Sequence, residues 1–422
     1  MDTLKKVFGL KTILFICHLT IFYNYKLFIL FYFSIATYIV YSEINLDKFS
    51  LFLIKFIPLN FYLINLSKLF FNDSKSIIFW DMQNFLHYIN CNQKEILYTY
   101  KFNNFIEKCP ETIGYGPLTE FLYFGNDHIW FLTIFFGILF IVINAIFLIK
   151  SKKNLIIISA ILLSPSFQFL FYSLNSDIFV LLYLIWLIGS KNYKKTNLNI
   201  FIISFLALIK TYPLFLLLGY LLLSISKKER FNILKSLLAF LLNLFILINH
   251  YFLNTSFLPD PISFTRSFGI LHDFKLMSDF IGFDEGAVLL TILVFFSLIF
   301  RKLIVNYFLN NTFLLPDDII DKVIILLPTL YLINFYQNWG YKFVLNSLLI
   351  FLIFNFVKKN TQIFLIGVNL LCITYFFIGW GYENSFLNLL FFSLSKTLYY
   401  LFLLFIFYLT YNLFKNHNYF NH

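Results

Sequence analysis

Long apolar runs broken by clusters of lysine limit what this chain can fold into. The runs occupy roughly 12–24, 27–42, 49–71, 129–150, 154–164, 177–190, 198–210, 212–225, 231–253, 286–300, 322–337, 340–357, 361–380 and 387–414. A helix that crosses a bilayer core of about 30 Å needs about 20 residues. The longer runs suit full spans, and the shorter ones suit half-helices, tilted helices or re-entrant pieces. Basic residues gather at Lys150/Lys152/Lys153, Lys191/Lys194/Lys195, Lys227/Lys228/Arg230, Arg301/Lys302 and Lys358/Lys359. Lysine and arginine favour the cytoplasmic side of a membrane. Alternating the segments from an inside N-terminus puts every one of these clusters inside. The same alternation puts the loops 72–128, 164–176 and 254–285 outside, with the tight tip from Gln337 to Tyr341. The expected fold is an all-α polytopic membrane protein. It is a bundle of about 10–14 transmembrane or re-entrant helices with a large first extracytoplasmic loop, forming one integral membrane domain over 1–422.

Composition agrees with that expectation. Of 422 residues 60% are hydrophobic, 22% aromatic and 13% charged, and mean hydropathy is +0.79. Soluble domains carry about a quarter charged residues, so a water-soluble globular protein is excluded. The net charge of +11 does not indicate nucleic-acid binding, because no polar domain exists on which a basic groove could sit. The 61 Phe and 28 Tyr fit AT-rich codon usage and carry little functional weight. Lys5, Lys6 and Lys11 precede an apolar stretch without a small-residue cleavage site after it, which suits a first membrane segment better than a signal peptide. Cys17 and Cys372 lie in apolar runs, where a thiol behaves as a small hydrophobe. Cys91 and Cys109 share the long outer loop and are either a disulfide or two free thiols. No internal repeat is evident, which counts against inverted-repeat transporters.

Ionisable groups at membrane depth are costly unless they line a cavity or find partners, and so they are the first functional candidates. Lys210 lies in Ala207-Leu-Ile-Lys-Thr-Tyr-Pro213, between two apolar arms flanked on both outer sides by lysine clusters. One reading is a hairpin of two half-helices with Lys210 at its tip, facing an anionic headgroup. The other is a single span kinked at Pro213, with Lys210 snorkelling to the surface. Tyr212 shares that tip. In Leu163-Ser-Pro-Ser-Phe-Gln-Phe-Leu-Phe-Tyr-Ser-Leu-Asn-Ser-Asp177, Pro165 ends one arm, and Asn175, Ser176 or Asp177 can cap the next. Asn175 and Asp177 are also candidates to line the same cavity as Lys210. Asp81, in Phe79-Trp-Asp-Met-Gln-Asn-Phe-Leu-His-Tyr88, stands where a span delivers the chain outside; partial desolvation there suits a general base, and a helix cap is the plainer alternative. His87 is a weaker addition. Tyr115 precedes Gly116-Pro117 in a turn, either against a substrate ring or in the interfacial aromatic belt. Arg266 and Lys342 are outward cations suited to a phosphate contact or to headgroup anchoring. No metal motif stands out, Asp317-Asp318 should be cytoplasmic, and His272-Asp273 is the one adjacent outer pair that could hold a metal.

Taken in order, these features resemble the GT-C-type membrane glycosyltransferases that use polyprenyl-phosphate sugars, and most closely glycosyltransferase family 87. The resemblance covers roughly 80–350. It rests on Asp81 in the first outer loop, Tyr115-Gly-Pro117, Ser164-Pro165 with Asn175-x-Asp177, the Lys210-x-x-Pro213 tip, and Tyr341-Lys342 where the family often has Tyr-Arg. Lysine in place of arginine removes a bidentate phosphate contact and keeps a point charge. The resemblance implies transfer of a mannose-like hexose or a pentose from a polyprenyl-phosphate sugar, with inversion. The acceptor would be a hydroxyl on a lipid-linked glycan, a glycolipid or a protein. In that scheme Asp81 is the base, Lys210, Arg266 and Lys342 bind the donor phosphate, and His87, Tyr115, Asn175, Asp177 and Tyr212 bind substrate. No cofactor is required, and a divalent cation is left open. A bacterial inner membrane, with the site facing the periplasm, is the expected setting. A polysaccharide polymerase or lipid-linked glycan flippase is the main alternative, and a secondary transporter a lesser one.

Overall fold

The structure is a computed structural model that describes residues 2–23, 25–43, 46–71, 117–118, 135, 137–144, 152–173, 177–189, 191–253, 267–268, 315–335, 338–371 and 386–416. These residues are helical apart from turns and one two-residue ladder. Three N-terminal helices, α1 (Asp2–Tyr23), α2 (Tyr25–Ser42) and α3 (Lys48–Phe71), pack on one another. There follow α4 (Lys152–Leu162), α5 (Pro165–Ser173), α6 (Asp177–Gly189), α7 (Thr196–Ala207), α8 (Leu214–Ser226) and α9 (Arg230–Leu253). The strand β1 (Ser267–Phe268), α10 (Asp317–Phe335), β2 (Asn338–Trp339), α11 (Val344–Ile353), α12 (Lys359–Leu371) and α13 (Phe386–Asn416) complete the described chain. By length and composition one helix among the described residues can cross a membrane, at Arg230–His250.

The apolar run at 198–225 folds as a hairpin, not as one kinked span. Lys235 on α9 donates a hydrogen bond to Asn197 at the start of α7, at 2.7 Å. A continuous span would hold the two flanks of the run apart by about 40 Å at 1.5 Å per residue. The reversal occurs over 208–213, where Lys210 N bonds to Leu206 O at 2.8 Å and Leu216 N to Pro213 O at 2.9 Å. Pro213, at φ −59°, opens α8 where its missing N–H costs nothing.

α8 then packs on α10 with almost no side-chain spacing. A Cβ built on Gly219 would lie 2.7 Å from Ile325 Cα and nearer still to its carbonyl. Only glycine permits that approach.

Polar ties hold both ends of the bundle. At the end carrying the lysine clusters, Lys227 pairs with the buried Asp321, and Lys322 pairs with Asp318 at 2.9 Å. Burial, together with the Asp318 and Asp321 carboxylates, pushes the Tyr193 phenol upward, while Tyr220 donates to the Tyr193 carbonyl at 3.1 Å. Asn355 bonds Asn154, and Lys359 pairs with Glu43 at 3.0 Å at the same end. Lys153, Lys191–Lys195, Lys227–Arg230 and Lys358–Lys359 therefore share one end of the molecule, as the charge pattern implies. Within the apolar layer, Asn334 on α10 and Asn346 on α11 exchange side-chain amide bonds at 2.8 and 3.0 Å.

Two boundaries differ from the sequence expectation. The segment 164–176 is not simply a loop, because 165–173 form α5. The first arm ends at Leu162, just before Pro165 as expected, and Pro165 also opens the next helix, which Ser164 caps by accepting from Phe167 N at 3.3 Å. α10 begins at Asp317, five residues before the apolar run, because carboxylates are favourable in a first helical turn.

Candidate functional site

Four short helices end at the same place, opposite the lysine-rich end. α6 starts there at Asp177, α7 and α8 meet there at the 208–213 tip, and the 340–343 turn leads from there into α11. α5 packs against the 340–343 turn, and β1 pairs antiparallel with β2 just before it, Ser267 opposite Trp339. Leu118 N bonds to Leu208 O at 3.0 Å, which ties the end of the Gly-Tyr-Gly-Pro motif to the hairpin tip. Segments distant in sequence, from five places in the chain, thus build one site.

The side chains that converge are Asp177, Lys210, Tyr212 and Lys342. Asp177 is 4% exposed, in the first turn of α6, where the helix dipole favours its charge. Lys210 Nζ stands 3.8 Å from Asp177 Oδ1, beyond hydrogen-bond length. Lys342 Nζ lies 5.4 Å from the centre of the Tyr212 ring, in cation–π range. It also interacts with both the Asp177 carboxylate and the Lys210 ammonium. The buried Tyr212 hydroxyl faces the Asp177 carboxylate. Among the described residues it closes no hydrogen bond of ordinary geometry. Two cations, one carboxylate and a phenol directed at them form a group that can hold and neutralise an anion. Among the described residues no group of three or more histidine, cysteine, aspartate or glutamate side chains is placed to hold a metal ion.

A small apolar crevice lies along α6 near the same end. Ile178, next to Asp177, begins a stripe continued by Leu181 and Ile185 on α6, opposite Phe167 and Leu170 of α5 and Ile138. These α6 residues follow one helix face, at steps of three and four.

Four of the nine residues singled out from the sequence are therefore placed, and all four are together. Asp81, His87, Tyr115, Asn175 and Arg266 lie outside the described residues, as do Cys91, Cys109, Cys372 and His272-Asp273. Ser267, which follows Arg266, is in β1. The buried Asn334–Asn346 pair below the Lys342 turn was not singled out, although two asparagines in apolar runs are a visible signal. No protein-family model matches the chain, and no curated protein or solved structure matches it either.

Proposed function

We propose that this chain is a polytopic membrane glycosyltransferase of GT-C type, transferring a sugar from a polyprenyl-phosphate donor to an acceptor hydroxyl on the extracytoplasmic face. The observation that carries this reading is the convergence of Lys210 and Lys342, with Asp177 and Tyr212, at one end of an apolar helical bundle. A charged cluster set among the ends of apolar helices suits an amphiphile with an anionic headgroup. The exposed face of α9, with Phe231, Leu234, Leu238, Leu241, Leu242 and Phe245, supports a bilayer environment. Only 17% of that helix's apolar window is buried.

In the reaction, an acceptor oxygen attacks the anomeric carbon as the bond from that carbon to the phosphate oxygen breaks. The acceptor proton passes to Asp81, and polyprenyl phosphate departs with the bonding electrons. In this scheme Lys210 and Lys342 stabilise the growing phosphate charge, and preorganised cations in a site of low dielectric do this effectively. Attack opposite the leaving group inverts the anomeric centre.

The test is transfer from a radiolabelled panel of polyprenyl-phosphate monosaccharides, in membranes carrying wild type, Asp81→Asn or Lys210→Met. Consumption of one donor by wild type, lost in both variants, is the expected result. No donor consumed in the presence of native membrane extract would refute the reading, and full transfer by Asp81→Asn would remove Asp81 as the base.

A further inference from the structure

Lys235 is a cation on a helix face that is otherwise apolar. It lies five residues past Arg230 in α9, about 8 Å along the axis from the lysine-rich end at 1.5 Å per residue. Phe231, Leu238 and Leu242 share its side of the helix at steps of three and four, and all three are exposed. Helical side chains lean towards the N-terminus, which carries the Lys235 ammonium back towards that end. There it donates to Asn197 Oδ1 at 2.7 Å and stands 4.0 Å from the centre of the Phe231 ring. Both partners are neutral, and an ammonium has three hydrogens to give.

Asn197 begins a second exposed stripe, continued by Phe201 and Phe205 at steps of four on α7. α7 and α9 pack on one another and both start at the lysine-rich end, so the two stripes run side by side from the Lys235–Asn197 bond. Lys195 precedes α7, Lys228 precedes α9 and Arg230 opens it, all exposed. Glu229, the carboxylate among them, accepts from Asn232 Nδ2 at 2.6 Å. We propose that this α7–α9 face binds an acidic glycerophospholipid of the leaflet at the lysine-rich end, with its headgroup phosphate at Lys235 and its acyl chains along the two stripes. This rests on the reading of the chain as a membrane protein, and not on the transferase assignment. Charge decides the occupant. A cation held by neutral groups beside hydrocarbon is costly until an anion meets it, and the apolar stripes require that the anion carry acyl chains. The Lys210 tip lies at the far end of α7, so this lipid is not the sugar donor.

Native mass spectrometry of the purified full chain, released from micelles holding phosphatidylglycerol and phosphatidylcholine of matched chains, tests this. Wild type is expected to retain phosphatidylglycerol in preference. Lys235→Met should lower that preference about fivefold, the worth of one cation beside anionic lipid, and Lys235→Arg should keep it. Arg230→Gln, which leaves the Lys235–Asn197 bond in place, should shift it in the same direction as Lys235→Met. Lys358→Met removes an exposed cation ahead of α12, a helix packed against α2, α4 and α13, and should change it less than twofold. An unchanged preference in Lys235→Met, an equal loss in Lys358→Met, or displacement of the lipid by soluble glycerol phosphate overturns the inference and leaves the membrane reading standing. A chain that stays in solution without detergent and carries neither lipid overturns both.

Discussion

Replacing Asn346 with leucine should destabilise the protein more than replacing Asn346 and Asn334 together. The two side chains are 0% and 1% exposed and bond to each other twice. Asn334 also donates to Leu330 O at 2.7 Å, so one of its amide hydrogens is satisfied within its own helix. Asn346→Leu therefore strands the other Asn334 hydrogen and its carbonyl oxygen. A buried polar group left unpaired costs about 1–3 kcal/mol. Added burial of the leucine side chain offsets part of this, and pairs within membrane bundles are worth about 0.6–2 kcal/mol. The single variant should thus lose about 2 kcal/mol. In Asn334→Leu/Asn346→Leu nothing is stranded and the volumes are retained, so the loss should fall below about 1 kcal/mol. Reversible unfolding in bicelles, arranged as a double-mutant cycle, measures both. Additive losses would refute the pairing, because independent sites add and coupled ones do not. The pair lies on the two helices flanking the turn that carries Lys342, so the single variant should also weaken binding of a lipid-phosphate probe.

Gly219→Ala should cost about 1–3 kcal/mol, as overpacking does, because the new methyl meets the backbone at Ile325 and not a side chain that can turn aside; thermal unfolding that matches wild type would contradict the close α8–α10 approach. Lys227→Met leaves the buried Asp321 carboxylate without its partner and should cost about 3 kcal/mol. Adding Asp321→Asn should recover most of that loss in the same assay, and no recovery would refute the ion pair as its cause.

The hairpin at Lys210 was legible because charge marks its ends: two apolar arms of about a dozen residues each lie between lysine clusters of the same side. That Asp177 lines one cavity with Lys210 was expected, whereas the approach of Lys342 was legible only as a shared side, since 132 positions separate it from Lys210 and no local pattern encodes their proximity. α5 was missed because its polar residues suggested a turn. In the structure these residues satisfy the backbone instead, Ser164 as a cap and Gln168 through its bond to Leu163 O at 2.6 Å. The Tyr193, Asp318 and Asp321 cluster was equally hidden, because a buried carboxylate needs partners from other helices and their identity depends on packing. Charge segregation is written along the chain, whereas pairing is written between distant parts of it.

On the proposed membrane reading, helix length sets how deep the site lies. α7 has 12 residues, α6 and α8 have 13 each, and α11 has 10 with a further turn of 3. At 1.5 Å per residue each spans about 18–20 Å from the lysine-rich end, against a hydrocarbon core of about 30 Å. Helices that stop short in this way would expose unpaired backbone groups to lipid unless they end at a polar cavity. The site should therefore be a recess reaching about 10 Å below the outer edge of the core, at the level where a lipid phosphate enters from the outer leaflet only by sinking into the protein. Single cysteines at Thr211 and Lys228, in a background without native cysteines, test this in sealed right-side-out vesicles. A membrane-impermeant maleimide should label Thr211→Cys from outside, more slowly than a surface residue, and Lys228→Cys only after the vesicles are opened. Labelling of both from the same side would refute the recessed hairpin, because the two positions lie at opposite ends of one 13-residue helix.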